Sequence, residues 1–243
     1  MRISLITVLA VTLLGLTPAR AEQTAGIIDP GKLTPRLAEL PFGGDLDALM
    51  KQVQYRFATD YSKRLEDQAD IASRDRLTAE INVKVQGVRD SFVTFSGQKT
   101  GYNVSVVSGE FAHGTGEAMA VASGGGAQDY FFFVKGVLWK VVTTETTQMS
   151  LAAYLVNLTE IYGKPARVEY ANPRTRKKPV SATWEGAKVN LDVSARPDYG
   201  AITLRFARRS MLEKAVTWRG GVQTPADTAG EGMDPSILDI MKD

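Results

Sequence analysis

The period of the apolar residues changes along this chain in a fixed order, from helical to strand-like, back to helical, and to strand-like again. Leu46, Met50, Val53, Phe57, Tyr61 and Leu65 recur at spacings of three and four. Leu77, Ile81, Val85, Val88 and Phe92 repeat the pattern. Each stripe marks a helix that buries one side. Asp45, after Gly43-Gly44, is placed to cap the first helix, and the second begins near Ser73.

Short β-rich runs follow: Phe92 to Phe95, Val104 to Val107, Ala118 to Ala122, Tyr130 to Val134 and Val137 to Val142. Lys135-Gly136 reads as a two-residue hairpin loop. Tyr130-Phe131-Phe132-Phe133-Val134 does not alternate, so either both its faces are covered or one meets a partner. A third helix spans about Thr147 to Tyr162 and stops at Gly163-Lys164-Pro165. Its stripe is Leu151, Tyr154, Leu155, Leu158 and Tyr162. Strands over Ala166 to Tyr170, Ser181 to Trp184, Val189 to Val193 and Ile202 to Phe206 come next, then a short helix over Ser210 to Trp218.

This order is not the strand–helix alternation of a parallel sheet. It predicts an α+β fold, with two N-terminal helices followed by mainly antiparallel sheet and an inserted helix. Helix followed by antiparallel strands occurs twice. That is compatible with an imperfect duplication, two subdomains meeting near residue 146, although no residue-level repeat accompanies it.

The globular region so defined runs from 42 to 219. Residues 1–21 read as a secretory signal peptide: Met1-Arg2 is positive, Ile3 to Leu16 is almost wholly apolar, and Ala19-Arg20-Ala21 supplies small residues for cleavage. The apolar run is shorter than the ~20 residues of a spanning helix, and no later segment is long and apolar enough, so the mature chain is expected not to span a membrane. Residues 22–41, with three prolines, read as an extended leader. Residues 220–232 have the composition of a flexible linker, and 233–243 that of a short amphipathic helix whose apolar face is Ile237, Leu238, Ile240 and Met241.

Without the signal peptide, acidic and basic residues balance at 27 each, which gives no reason to expect a nucleic-acid partner. An exported chain with no cysteine rests on its core alone, and this favours a bacterial periplasm over a disulfide-rich secreted domain.

The chain has one histidine, His113. Cysteine nucleophiles and zinc sites of cysteine and histidine are therefore impossible, and no phosphate-binding loop or dinucleotide fingerprint is present, so no metal or cofactor is expected. The one candidate catalytic constellation is His113 as general base with Glu110 or Glu117, in a glycine-bearing loop. Its spacing also suits a loop in which the histidine simply bonds to backbone or to one glutamate.

Arg174, Arg176, Lys177 and Lys178 form a basic run between Pro173 and Pro179, suited to an anionic envelope surface such as lipid head groups. The apolar tail face suits the groove of an envelope protein or the chain's own domain. Phe131 to Phe133 with Trp139 are candidates to line a pocket for a small apolar or anionic ligand.

Three stretches together, Tyr130 through Lys140, Tyr162-Gly163-Lys164-Pro165 and Trp184 through Leu191, resemble uncharacterised exported proteins of Gram-negative bacteria, across about Leu40 to Phe206. The resemblance implies a periplasmic location and no activity. The expectation carried forward is a non-enzymatic binding or accessory protein of a cell-envelope assembly. The alternatives are an enzyme using His113 and a carrier of a small ligand.

Overall fold

A computed structural model describes residues 40–219 apart from 68, 69, 98 and 125. The expected signal peptide, linker and tail, and nearly all of the leader, lie outside the described residues.

Two helices, α1 (Leu46–Glu66) and α2 (Ile71–Asp90), open the fold. Asp45 caps α1, its Oδ1 accepting from Ala48 N at 2.9 Å. Asp70 caps α2 by accepting from Ser73 N at 2.8 Å, so the helix starts at Ile71, a little before the sequence expectation. The two pack together and bury Leu49, Met50, Val53 and Phe57 from α1 and Leu77, Ile81 and Val88 from α2.

Eight strands make one antiparallel sheet: β1 (Val93–Thr94), β2 (Glu117–Gly124), β3 (Ala127–Val134), β4 (Val137–Thr146), β5 (Arg167–Tyr170), β6 (Pro179–Glu185), β7 (Val189–Arg196) and β8 (Ala201–Arg208). Their order is β1-β2-β3-β4-β8-β7-β6-β5. The helix α3 (Leu151–Tyr162) lies between β4 and β5 in the chain, and α4 (Arg209–Trp218) follows β8. The fold is α+β, as the order of periodicities predicts.

Helix then antiparallel meander does occur twice, and the last strand of each meander, β4 and β8, pair at the centre. One sheet runs unbroken across residue 146.

Lys135 and Gly136 have φ of 50° and 76°, the left-handed pair a type I′ hairpin requires. The aromatic run on β3 fails to alternate because both faces of β2–β4 are covered. Phe131 and Phe133 join the core beneath α1, α2 and α3. Tyr130, Phe132 and Val134 join a second core with Phe95, Val107, Phe111, Trp139 and Met211, under the 95–116 loop and α4. The half made of β5–β8 is covered differently. Ala182, Trp184, Leu191, Val193, Leu204 and Phe206 face the helices, while Thr183, Asp192, Ser194 and Arg205 alternate with them on the other face.

One expected strand does not form. Residues 104–107 belong to the covering loop, where Gly101–Val104 is a 3-10 turn. Val107 is fully buried and Val104 is 80% exposed. The segment crosses the sheet face and presents single residues to it, so its β-rich composition has no neighbour to pair with. Among the described residues, no helix is long and apolar enough to cross a membrane.

Candidate functional site

Each side chain of the Glu110 to Glu117 loop has a different environment. His113 Nε2 lies 3.0 Å from Asn103 Nδ2. Its ring stands edge-on to Phe95 and Phe111, at centroid distances of 5.7 and 5.4 Å. Glu117 is 1% exposed and takes a bidentate pair from Arg219, with Nε at 2.6 Å and Nη2 at 2.8 Å, plus Thr115 Oγ1 at 3.0 Å. Glu110 accepts from Lys140 Nζ at 2.7 Å, and the same ammonium bonds the Glu110 main-chain carbonyl. The guanidinium groups of Arg196 and Arg205 approach the Glu110 carboxylate to 3.8 Å each.

The expected acid–base pairing therefore does not form. Each glutamate is bonded to a buried cation, and His113 is bonded to an amide. The ion pairs clamp the covering loop and the end of α4 onto the sheet, since Arg219 follows α4 and Lys140 lies in β4.

Electrostatics in this cluster is uneven. Burial pushes the Glu110 carboxyl up, but Lys140, Arg205 and Arg196 together outweigh it and hold the group at about 2. Burial lowers Lys140, the Glu110 charge opposes this, and Arg205 and Arg219 lower it further, to about 8. Cations outnumber carboxylates here, so Glu110 gains from the crowd what Lys140 loses. The Lys140 ammonium also sits 4.5 and 4.6 Å from the Phe132 and Trp139 ring centroids. A lysine inside the apolar run Val137-Leu138-Trp139-Lys140-Val141-Val142 is the sequence signal for this cluster.

The aromatic candidates for a ligand pocket fill the cores instead. Phe131, Phe132 and Phe133 are at most 1% exposed and Trp139 is 3%.

The basic run sits elsewhere, at the far edge of the sheet. It forms the tip joining β5 and β6, closed by Ala171 N donating to Lys178 O at 2.9 Å. Asn172 Oδ1 accepts from Arg174 N and Thr175 N, and Arg176 N donates to Asn172 O at 3.0 Å. This single helical turn ends with Arg176 at φ 49°. Arg174, Arg176, Lys177 and Lys178 are all exposed.

Between this tip, β5 and α3 lies a groove of about 490 Å³. Leu155, Val156, Pro165, Val168, Tyr170 and Pro179 supply its apolar lining, and Arg176 and Lys177 border it. Of the basic run, these two are brought to the groove; Arg174 and Lys178 stay on the outer tip.

The adjoining helix is unusual for a surface element. It carries one charged residue, Glu160, in the sequence Leu-Ala-Ala-Tyr-Leu-Val-Asn-Leu-Thr-Glu-Ile-Tyr. Its inner side buries Leu151, Leu155, Leu158 and Tyr162. Val156 and Ile161 nonetheless remain 59% and 43% exposed, with Met149 at 44% just before the helix and Val180 at 41% on β6. Val156 and Ile161 are five residues apart and so lie on opposite flanks of the helix, with Ala153, Asn157 and Glu160 exposed between them; of the two, Val156 is the one on the groove. The residues missed from sequence are these, because Val156 and Ile161 fall off the core stripe. The tail residues Ile237, Leu238, Ile240 and Met241 lie outside the described residues.

No family model matches the sequence, and no curated protein matches it. Among solved structures, the chain is similar to a cysteine-rich secretory protein from Staphylococcus aureus at 11% identity over 40% of this chain, with a TM-score of 0.26. The matched part spans 36% of that protein.

Proposed function

We propose that this chain is a non-enzymatic binding protein of the bacterial cell envelope, exported to the periplasm, and that it recognises its partner through the outer side of α3 and the adjoining groove. The observation that carries this reading is the apolar groove beside α3, into which Val156, 59% exposed, faces with Leu155, Val168 and Tyr170 under a basic border. Contiguous exposed apolar surface rimmed by polar residues marks interaction sites. Two further observations support the reading, one for binding over catalysis and one for export. The glutamates nearest the only histidine are engaged by Lys140 and Arg219. The signal-like first 21 residues support export. We infer a second contact with an envelope protein through Ile237, Leu238, Ile240 and Met241, on the strength of their apolar character in the sequence.

The test is a photo-crosslinking amino acid placed at Val156 and, as a control, at Val83, which is 71% exposed on α2. After export and irradiation in cells, an adduct is expected from position 156 only, and its loss is expected when Ala152, exposed on the same groove one turn before Val156, is changed to Glu. No adduct, or equal adducts from both positions, would refute this surface as the recognition site.

A further inference from the structure

We propose that the groove between α3 and the β5–β6 tip binds a single-chain anionic amphiphile, an acyl chain ending in a phosphate. The chain lies against Leu155, Val156, Val168 and Tyr170, and the phosphate is held by Arg176 and Lys177. This rests on the reading that the groove is the recognition surface, and it names the chemistry that surface takes.

Three observations point the same way. First, polarity is segregated: the floor is apolar and the cations are confined to the tip side, with four in the five residues Arg174 to Lys178. Among the described lining residues, Glu160 on α3 is the sole acid. A small apolar solute would not need the cations, and an inorganic anion would not need the floor. An amphiphile uses both. Second, a volume of about 490 Å³ lies within the ~300–1,000 Å³ range of small-molecule sites.

Third, the backbone at Arg176 is costly for the residue it carries. A φ of 49° at the end of a helical turn is the position glycine fills without strain. The bonds that shape this turn run from Asn172 to the main chain of Arg174, Thr175 and Arg176. Glycine would make the same main-chain bond. The main-chain bonds of the turn thus need no side chain at this position, and the side chain that the strained backbone carries borders the groove. A guanidinium presents a planar fork of donors matched to phosphate oxygens, and Lys177 adds a second positive charge.

The experiment is calorimetric titration of the purified protein with dodecyl phosphate below its micellar concentration. Octyl phosphate, dodecylphosphocholine, inorganic phosphate and phosphatidylglycerol vesicles serve as comparators. Saturable binding of dodecyl phosphate is expected. Octyl phosphate should bind roughly two-hundredfold more weakly, from about fourfold for each of four methylenes. Dodecylphosphocholine should bind about tenfold more weakly, and inorganic phosphate not measurably. Arg176→Gly should weaken dodecyl phosphate on the order of tenfold while leaving the melting temperature unchanged or raised. Val156→Asp, at an exposed position, should weaken it as well.

Equal affinity for the phosphate and phosphocholine heads, or an Arg176→Gly variant that binds normally, overturns the head-group assignment. A lowered melting temperature in that variant overturns the argument from strain. Binding to vesicles without binding of the monomer overturns the groove site and makes the tip a membrane-surface patch. No binding of dodecyl phosphate, together with a protein crosslinked at Val156, sinks this inference and leaves the proposed function standing. No binding of dodecyl phosphate together with no adduct at Val156 sinks both.

Discussion

Removing either partner of the Lys140–Glu110 pair should be among the most damaging single changes in this protein, and removing both should be much milder than the sum. The side chains are 2% and 9% exposed and 2.7 Å apart. At that separation the attraction is about 6 kcal/mol in a medium of effective dielectric near 20. It is offset by the cost of stripping water from both charges, so the pair's net contribution is small. The single variants are different. Lys140→Met leaves a buried carboxylate without its 2.7 Å ammonium, with Arg196 and Arg205 approaching to 3.8 Å. Glu110→Gln leaves a buried ammonium with neutral acceptors only, and with Arg205 and Arg219 lowering its affinity for a proton. Breaking a buried pair from one side costs about 3–5 kcal/mol, whereas replacing both ends is often close to neutral. A domain of this size is stable by about 5–15 kcal/mol, so each single variant should lose a large share of that. Urea unfolding at pH 7 measures the cycle. Far-ultraviolet dichroism is the safer probe, because the Trp139 ring lies 4.6 Å from the ammonium and its fluorescence will change in the folded state. The expected coupling is about 3 kcal/mol or more. Additive losses, or a Lys140→Met variant less than ~1 kcal/mol below the parent, would refute the view of these charges as one unit. The exposed Arg64–Glu80 pair, at 3.7 Å, provides the contrast and should couple by less than ~0.5 kcal/mol.

Three further outcomes are expected. Glu110 sits at about 2 against an ordinary 4.5, so its stabilising contribution is complete above pH 4.5 and is lost as pH falls toward 2; acid titration of the Glu110→Gln variant should show a shallower loss over that window, and an unchanged slope would contradict the assignment. Trp184 is fully buried and its Nε1 donates to Gly163 O at 2.8 Å, so Trp184→Phe should cost about 1–3 kcal/mol in thermal unfolding, and a loss near zero would mean that the bond at the end of α3 is dispensable. Gly136 has φ 76°, and the space that an alanine methyl would occupy there is open to 4 Å, so Gly136→Ala should cost about 1 kcal/mol from backbone strain alone; a loss above ~3 kcal/mol in urea would point to a packing role instead.

What the sequence discloses and what it hides divide by the distance over which each interaction acts. Asp45 is legible as a cap because a cap acts on the main chain three residues on. At α2 the same logic slips by one turn: the start expected near Ser73 misses Asp70, and Ser73 N is the group that Asp70 caps. The Lys135-Gly136 turn is legible because its φ angles belong to two adjacent residues. The partners of Glu110 and Glu117 are not, since Lys140 lies 30 residues from one and Arg219 102 residues from the other. The strand expected at 104–107 fails because composition reports a preference for extended backbone without reporting whether an edge is available. The basic run is recognisable, but its groove forms only when α3 packs beside β5. Val156 is visible as an apolar residue off the stripe, and that surplus is the signal for the groove on its flank of the helix.

The junction of β4 with β8 has a kinetic consequence. From β2 to β4 and from β5 to β8, successive strands are joined through short turns, and their ends meet after little chain has been ordered. The β4–β8 partners run from Thr146 with Ala201 to Lys140 with Ala207, so they are 55 to 67 residues apart along the chain. Closing a loop of that length costs more chain entropy than any hairpin in the sheet, and no contact along the seam repays it until both strands arrive. The rate of folding should therefore be governed by the meeting of two preformed half-sheets, and a substitution at the seam should slow folding where the same change in an outer hairpin would mainly hasten unfolding.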